Sequence, residues 1–259
     1  MRRDSLFWGS ALIILGVLLY LQTQGIINNV FQYLWPIAMM LVGIWLILGV
    51  YWKPAPTSAE TFSIPLGSAQ TINYSFSHGV GQLDITGGAP AGQAIVGTAA
   101  TGMNQKSQLK GDQLDIRVEA GPSFLPFIGP SEGVWRFQIV RDLPIMVKVE
   151  SGASSLNIDL RDVLARHLEV KTGASSVNVT MPARGVSFLD LDGGATSVSI
   201  IVPEPVAARI RVDGVTSMDV DTNRFPRLEP NVYQSPSFEE APDRTEIHIN
   251  SGLGKVSVR

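Results

Sequence analysis

The 259-residue chain has no cysteine. That absence removes disulfides, thiolate nucleophiles, iron–sulfur clusters and cysteine-type zinc sites together, and leaves the compartment open. Histidine is scarce: His78, His167 and His248 are the only three, none within helical or hairpin spacing of another, so few ligands are available for metal chemistry. No catalytic, metal or cofactor site is expected. A basic stripe is also missing, since 20 Lys and Arg are dispersed among 23 Asp and Glu for a net charge of −3. Nucleic acid is therefore not an expected partner. Charged residues make up 17% of the chain, and they are unevenly placed. Residues 1–52 hold only Arg2, Arg3 and Asp4, leaving 40 of the 43 charged residues to the other 207 positions.

What is present in those first residues is apolar sequence. No charge occurs from Leu6 to Leu21, nor from Tyr33 to Trp52, and Gln22-Thr-Gln-Gly-Ile-Ile-Asn-Asn-Val-Phe-Gln32 joins the two runs. Helices of roughly 18 to 20 residues at ~1.5 Å per residue approach the ~30 Å hydrocarbon core. A transmembrane helical hairpin is expected over 1–53, with helices at about 5–22 and 33–52. Phe7, Trp8, Tyr51 and Trp52 fall at one interface, and Tyr20, Tyr33 and Trp35 at the other. Arg2, Arg3 and Lys53 flank the hairpin and the connecting loop has no charge, which places both termini in the cytoplasm. A secretory signal is the competing interpretation; no small-x-small cleavage site follows Tyr20, and a second apolar run comes directly after. Residues 54–61, starting Pro54-Ala-Pro, form a linker.

Residues 62–259 contain a repeat. Val147-x-Val149-x-x-Gly152-Ala-Ser-Ser-Leu156-x-Ile158 is followed by equivalents centred on Gly173 and Gly194, 21 residues apart each time. Further copies centre on Gly214, Gly252 and, at the start, Gly79. Alternating apolar residues on both sides of each glycine predict two short strands, with the glycine supplying a positive-φ corner. One copy cannot bury its face alone, so a period of about 20–21 residues predicts an all-β parallel solenoid of stacked coils. Val80, Ala153, Ala174, Ala195, Val215 and Leu253 then form an inward ladder, and the hydroxyls after them a polar ladder along one edge.

The Gly-Ala-Ser-Ser runs do not signal a nucleophile, because no base or oxyanion site accompanies them and near-identical copies suit a structural position. The outward column Asp84, Asn157, Asn178, Ser199, Asp219 and Ser257 is either a solvated face or a place for a cation or carbohydrate. Two segments break the repeat. Phe124, Leu125, Phe127 and Ile128 lie in a Pro- and Gly-bracketed loop that is either a plug over the solenoid or a docking element for the bilayer or a partner. The insertion Arg224–Asp243, with Tyr233 and Phe238, is either a lid over the core or a contact loop. The six aromatic and aliphatic residues named here are the candidate partner contacts.

Two resemblances rest on these residues. Arg3-Asp4-Ser5-Leu6-Phe7-Trp8-Gly9, Leu15-Gly16, Leu34-Trp35-Pro36-Ile37 and Val42-Gly43-Ile44 resemble the LiaI/LiaF-like transmembrane region of bacterial envelope proteins. The glycine-centred repeats are similar to the LiaF C-terminal and toast-rack adhesin-type β-solenoid domains. The resemblance implies a non-enzymatic two-pass protein of the bacterial inner membrane, linked to cell-envelope stress, where LiaF-type members restrain a membrane histidine kinase. The expected partners are the lipid bilayer, such a kinase or another envelope protein, and a second copy of the chain. A self-associating scaffold is the alternative, because Lys255-Val-Ser-Val-Arg259 ends the chain inside a strand whose edge invites pairing. A carbohydrate-active enzyme needs carboxylates clustered in a groove, and here they are spread among the coils.

Overall fold

The alternation on either side of the glycine forms one long strand, bent at the glycine, in five of the six copies, and two separate strands about Gly214. In the computed structural model the described residues are 60–99, 103–120 and 132–259, with positions 13, 16, 20, 23, 24, 39 and 40. The chain divides into two units, Met1–Pro56 and Thr57–Arg259. In the first unit Ile13, Gly16, Tyr20, Thr23, Met39 and Met40 are helical. The rest of the expected helices 5–22 and 33–52 lies outside the described residues, among which no helix is long and apolar enough to cross a membrane.

The second unit is all β. In chain order its strands are β1 (Glu60–Pro65), β2 (Thr71–Gly87), β3 (Gln93–Ala99), β4 (Met103–Lys110), β5 (Gln113–Ala120), β6 (Glu132–Ile139), β7 (Ile145–Asp159), β8 (Ala165–Thr180), β9 (Val186–Ile201), β10 (Ala207–Asp213), β11 (Ser217–Val220), β12 (Arg227–Glu229), β13 (Val232–Gln234) and β14 (Arg244–Val258). A straight strand of 15 residues, as in β7, spans about 50 Å. Five residues then join β7 to β8, whose start pairs with the start of β7. Such a connection reaches at most ~18 Å, so β7 must double back on itself at its glycine. Each long strand is therefore a whole coil of two arms. The inward residues of both arms, such as Val147, Val149, Leu156 and Ile158, belong to one core. Leu160, Met181 and Val202 close it at the return turns.

The coils stack in parallel in the order β2, β7, β8, β9, β14. β14 lies between β9 and the β10–β11 coil, so the last copy in sequence is inserted between the third and fourth of the regular run. This corrects the expectation of an exposed terminal strand: Lys255 to Val258 pair with β9 on one side and β11 on the other. A further coil, unrecognised in the sequence, precedes β2. β5 pairs with its first arm and β6 with its second, and the segment containing Phe124, Leu125, Phe127 and Ile128 joins them. Those four residues lie outside the described residues.

Antiparallel strands cover both ends: β4 on β5, β3 and then β1 on β6, and β13 and then β12 on β10. Nearly all of β4, including Lys106 and Lys110, is exposed. Charge on such an edge discourages pairing with another chain.

Two expectations about the corner are overturned. Gly152, Gly173, Gly194 and Gly252 do not have positive φ; among the repeat glycines only Gly214, in the shortened copy, does, at +73°. The repeat glycines are needed for close stacking. A Cβ on Gly173 would lie 2.9 Å from the Gly152 carbonyl oxygen, and one on Gly194 2.8 Å from that of Gly173. Four members of the ladder after the glycine face outward, Ala153, Ala174, Ala195 and Leu253, Leu253 by 67%, while Val80 is half-buried and Val215, in the shortened copy, packs against the core. Glycine and its successor both occupy the outside of the bend, which shifts the alternation by one residue. Ser151 and Ser154, Thr172 and Ser175, and Thr196 with Ser251 of the next coil thus meet inside the corner as hydroxyl pairs.

Two positions of each coil share the corner interior. His78 is matched by Gly81, Ser151 by Ser154, Thr172 by Ser175, Gly193 by Thr196 and Ser251 by Gly254. A Cβ on Gly193 would meet Thr196 Cγ2 at 2.6 Å, and one on Gly81 would stand 3.3 Å from His78 Nε2. Where one position carries histidine or threonine the other carries glycine or serine, so no corner holds two bulky side chains.

Candidate functional site

The two arms present chemically different outer faces. On the first arm, strand register aligns Arg117, Ser75, Lys148, Glu169, Asp190, His248 and Arg211 across the coils. Beside them run Glu119, Ser77, Glu150, Lys171, Asp192, Asn250 and Asp213. Lys148 bridges Glu150 at 3.0 Å and Glu169 at 3.8 Å, and Lys171 bridges Glu169 at 2.7 Å. The Lys171 hydrogen bond holds the Glu169 carboxyl below the usual range, and Gln113 and Lys110 do the same for Asp115. These are solvated ion pairs worth little individually.

Inserting β14 beside β9 also brings together two histidines that are distant in sequence. His167 Nε2 lies 3.0 Å from Asp190 Oδ2, and His248 Nδ1 lies 3.5 Å from Asp190 Oδ1. Among the described residues no group of three or more His, Asp or Glu is arranged to hold a metal ion.

The second-arm face carries amides and hydroxyls. Thr61, Thr98, Arg136, Asp84, Asn157, Asn178, Ser199, Ser257 and Asp219 form one registered row across nine strands. Its side chains are linked: Asn178 Nδ2 donates to Asn157 Oδ1 at 2.9 Å, and Asn157 Nδ2 donates to Asp84 Oδ1 at 2.8 Å. Gln82 donates to Asp84, and Arg136 Nε lies 3.5 Å from Asp84 Oδ2. Each bond polarises the next, and the chain ends on a carboxylate that a guanidinium neutralises. A parallel row runs Gln138, Thr86, Asp159, Thr180 and Ile201. With Thr61, Val96 and Thr98 on β1 and β3 these rows line a groove of about 700 Å³. Of its lining residues only Asp84, Asp159 and Arg136 are charged.

The outward column named in the sequence is thus assembled in register. Its second row and its β1–β3 wall were not visible there, because they depend on pairings with strands outside the repeat. Tyr233 and Phe238 do not serve as exposed contacts: both rings are buried, and Phe238 lies under Arg209, whose guanidinium carbon is 4.4 Å from the ring centroid. Phe225 is also fully buried, so the insertion closes over the core as a lid.

The corner of β2 contains a buried imidazole. His78 is 2% exposed, its ring sits edge-on to Trp135 with centroids 4.6 Å apart, and neither ring nitrogen has a partner. Burial alone pushes its pKa down to about 4. Its cross-strand neighbour Ser151 shares a hydrogen bond with the Ser154 hydroxyl and reaches neither imidazole nitrogen, so no serine–histidine couple forms. Tyr74, deeper in the same arm, donates its hydroxyl to the Ala94 carbonyl at 2.6 Å, and burial raises its pKa above the usual phenol range.

Stacked coils with two long, chemically distinct outer faces define a parallel β-solenoid. The chain belongs to the toast-rack family, since the family described as the N-terminal domain of toast_rack matches residues 53–201, up to the end of β9. The LiaI-LiaF-like transmembrane region matches residues 6–47, which makes this a membrane-associated protein. No curated protein matches the chain. Among solved structures, a candidate cell adhesion protein from Clostridium sporogenes is similar in fold, with a TM-score of 0.70 at 16% identity over 78% of this chain and 98% of that one.

Proposed function

We propose that the chain is a non-enzymatic accessory protein of the bacterial inner membrane that modulates envelope-stress signalling through protein–protein contacts. The observation carrying this is the union, in one chain, of a LiaI-LiaF-like transmembrane region and a toast-rack solenoid. Three flanking basic residues against an uncharged connecting loop support a two-pass anchor with both termini in the cytoplasm. The hairpin then meets the helices of a membrane histidine kinase, while the solenoid and the 121–133 segment dock on its soluble parts. Mild crosslinking of intact membranes, followed by purification through a tag after Arg259, tests this. A histidine kinase is expected among the crosslinked species. Crosslinks to second copies alone favour the scaffold, and a periplasmic reporter active when fused after Arg259 contradicts the orientation.

A further inference from the structure

We infer that the second-arm groove is a binding site for an uncharged oligosaccharide chain. Every strand beneath it, from β3 through β6, β2, β7 and β8 to β9, is paired on both sides. Of the strands lining the groove only β1, which contributes Thr61 at its rim, lacks a second strand partner among the described residues, so over β3 to β9 a peptide cannot bind by strand addition and recognition falls to side chains projecting from the face. Those side chains are amides and hydroxyls, with Asn157 and Asn178 held in fixed planes by the hydrogen-bonded chain to Asp84. Arg136 offsets Asp84 and Asp159 leaves the lining one negative charge, so there is no excess of positive charge for an anionic polymer.

Sugar rings present hydroxyl edges and apolar C–H faces. The groove supplies both complements: amides and hydroxyls in its rows, and apolar surface at Val96 and at Ile201, which is 47% exposed. Stacked coils repeat at ~4.8 Å, close to the advance of one sugar in an extended β-linked chain. A saccharide lying across the strands therefore meets one pair of row residues from each coil. With no exposed aromatic platform in the lining, each sugar adds little, and affinity accumulates along the chain. In the orientation proposed above the saccharide is one displayed at the cytoplasmic face, as a glycolipid headgroup is. The inference itself requires neither that orientation nor a kinase partner.

The test uses the full chain in nanodiscs. Ligand-observed NMR measures binding of cellohexaose, chitohexaose and maltohexaose, their disaccharides, and oligogalacturonate as the anionic control. A second set of nanodiscs contains a neutral diglucosyl lipid. At least one neutral hexamer is expected to bind about tenfold tighter than its disaccharide. Asn178→Ala and, separately, Thr180→Tyr, which fills the groove, each lower affinity about tenfold or more with unchanged circular dichroism. Lys171→Ala on the other face has no effect. Binding to the glycolipid alongside a soluble hexamer, lost in the same two groove variants, extends the source to a headgroup, whereas binding to the glycolipid alone contradicts a site in which affinity accumulates along the chain. The inference is overturned if neither class binds, if oligogalacturonate binds better than every neutral probe, or if both groove variants bind as the parent does.

Discussion

Acidification provides the sharpest perturbation of the corner interior, through His78. The imidazole is buried against Trp135 with no partner for either nitrogen. Its pKa falls from 6.5 to about 4 in the folded chain. Between those values the unfolded chain binds a proton that the folded chain refuses, so stability falls as pH drops from 6.5 toward 4 and is unaffected above 7. At ~1.4 kcal/mol per pKa unit, the full loss is about 3 kcal/mol, which lowers the melting temperature of a domain this size by about 10 °C. Asp115 and Glu169, whose pKa values are depressed by their partners, also lose stabilisation as pH falls through their folded pKa values. They do so equally in a His78→Phe chain, which keeps a ring against Trp135 and removes the titration. The measurement is thermal unfolding of the parent and His78→Phe chains in the same micelles, from pH 7 to pH 4. At pH 7 the variant is expected to be at least as stable, since two unpartnered buried nitrogens are gone. Toward pH 4 the parent alone loses the extra 3 kcal/mol or so. Parallel loss in both chains would refute the reasoning.

Other consequences follow from packing. Gly173→Ala sets a Cβ against the Gly152 carbonyl oxygen and is expected to cost about 2 kcal/mol in urea unfolding, against about 1 kcal/mol for Gly185→Ala, where only the positive φ objects. Gly193→Ser overfills its corner; adding Thr196→Ser recreates the β7 pair and restores most of the loss, with a coupling of about 1 kcal/mol or more in a double-mutant cycle. Leu156→Ala costs about 3 kcal/mol because the side chain is fully buried, whereas Leu253→Ala, at the exposed outside of the bend, stays within about 0.5 kcal/mol.

The repeat was legible because burial on one face of a strand imposes an alternation that a fixed period makes unmistakable. Val147, Val149, Leu156 and Ile158 face the core as that alternation requires. The corner was not legible, since parity depends on how many residues the bend leaves outside: Gly152 and Ala153 both lie there, and Ser154 turns in. Spatial order was hidden as well. Parallel coils can be threaded in any order that their connections reach, and the long insertion before Arg244 lets β14 enter between β9 and β10. In the β5–β6 coil Gly121 follows Val118 by three residues, as Gly152 follows Val149, but β6 begins only at Glu132, so the second half of the motif does not come at the repeat spacing and no period marked it. The amide row was half visible: its columns were named, but the wall of β1 and β3 that makes a groove comes from antiparallel strands with no repeat signature. Tyr233 and Phe238 appeared exposed because a Pro-rich insertion resembles a free loop, whereas here the rings are drawn under it.

Histidine-kinase phosphorylation in membrane vesicles, measured with and without the full chain, tests the proposed modulation most directly. Vesicles containing the co-purifying kinase and this protein are predicted to show a lower rate of kinase autophosphorylation, restored by envelope stress, and a chain lacking residues 1–52 is predicted not to lower it. An unchanged rate in the presence of the full chain would contradict the proposal.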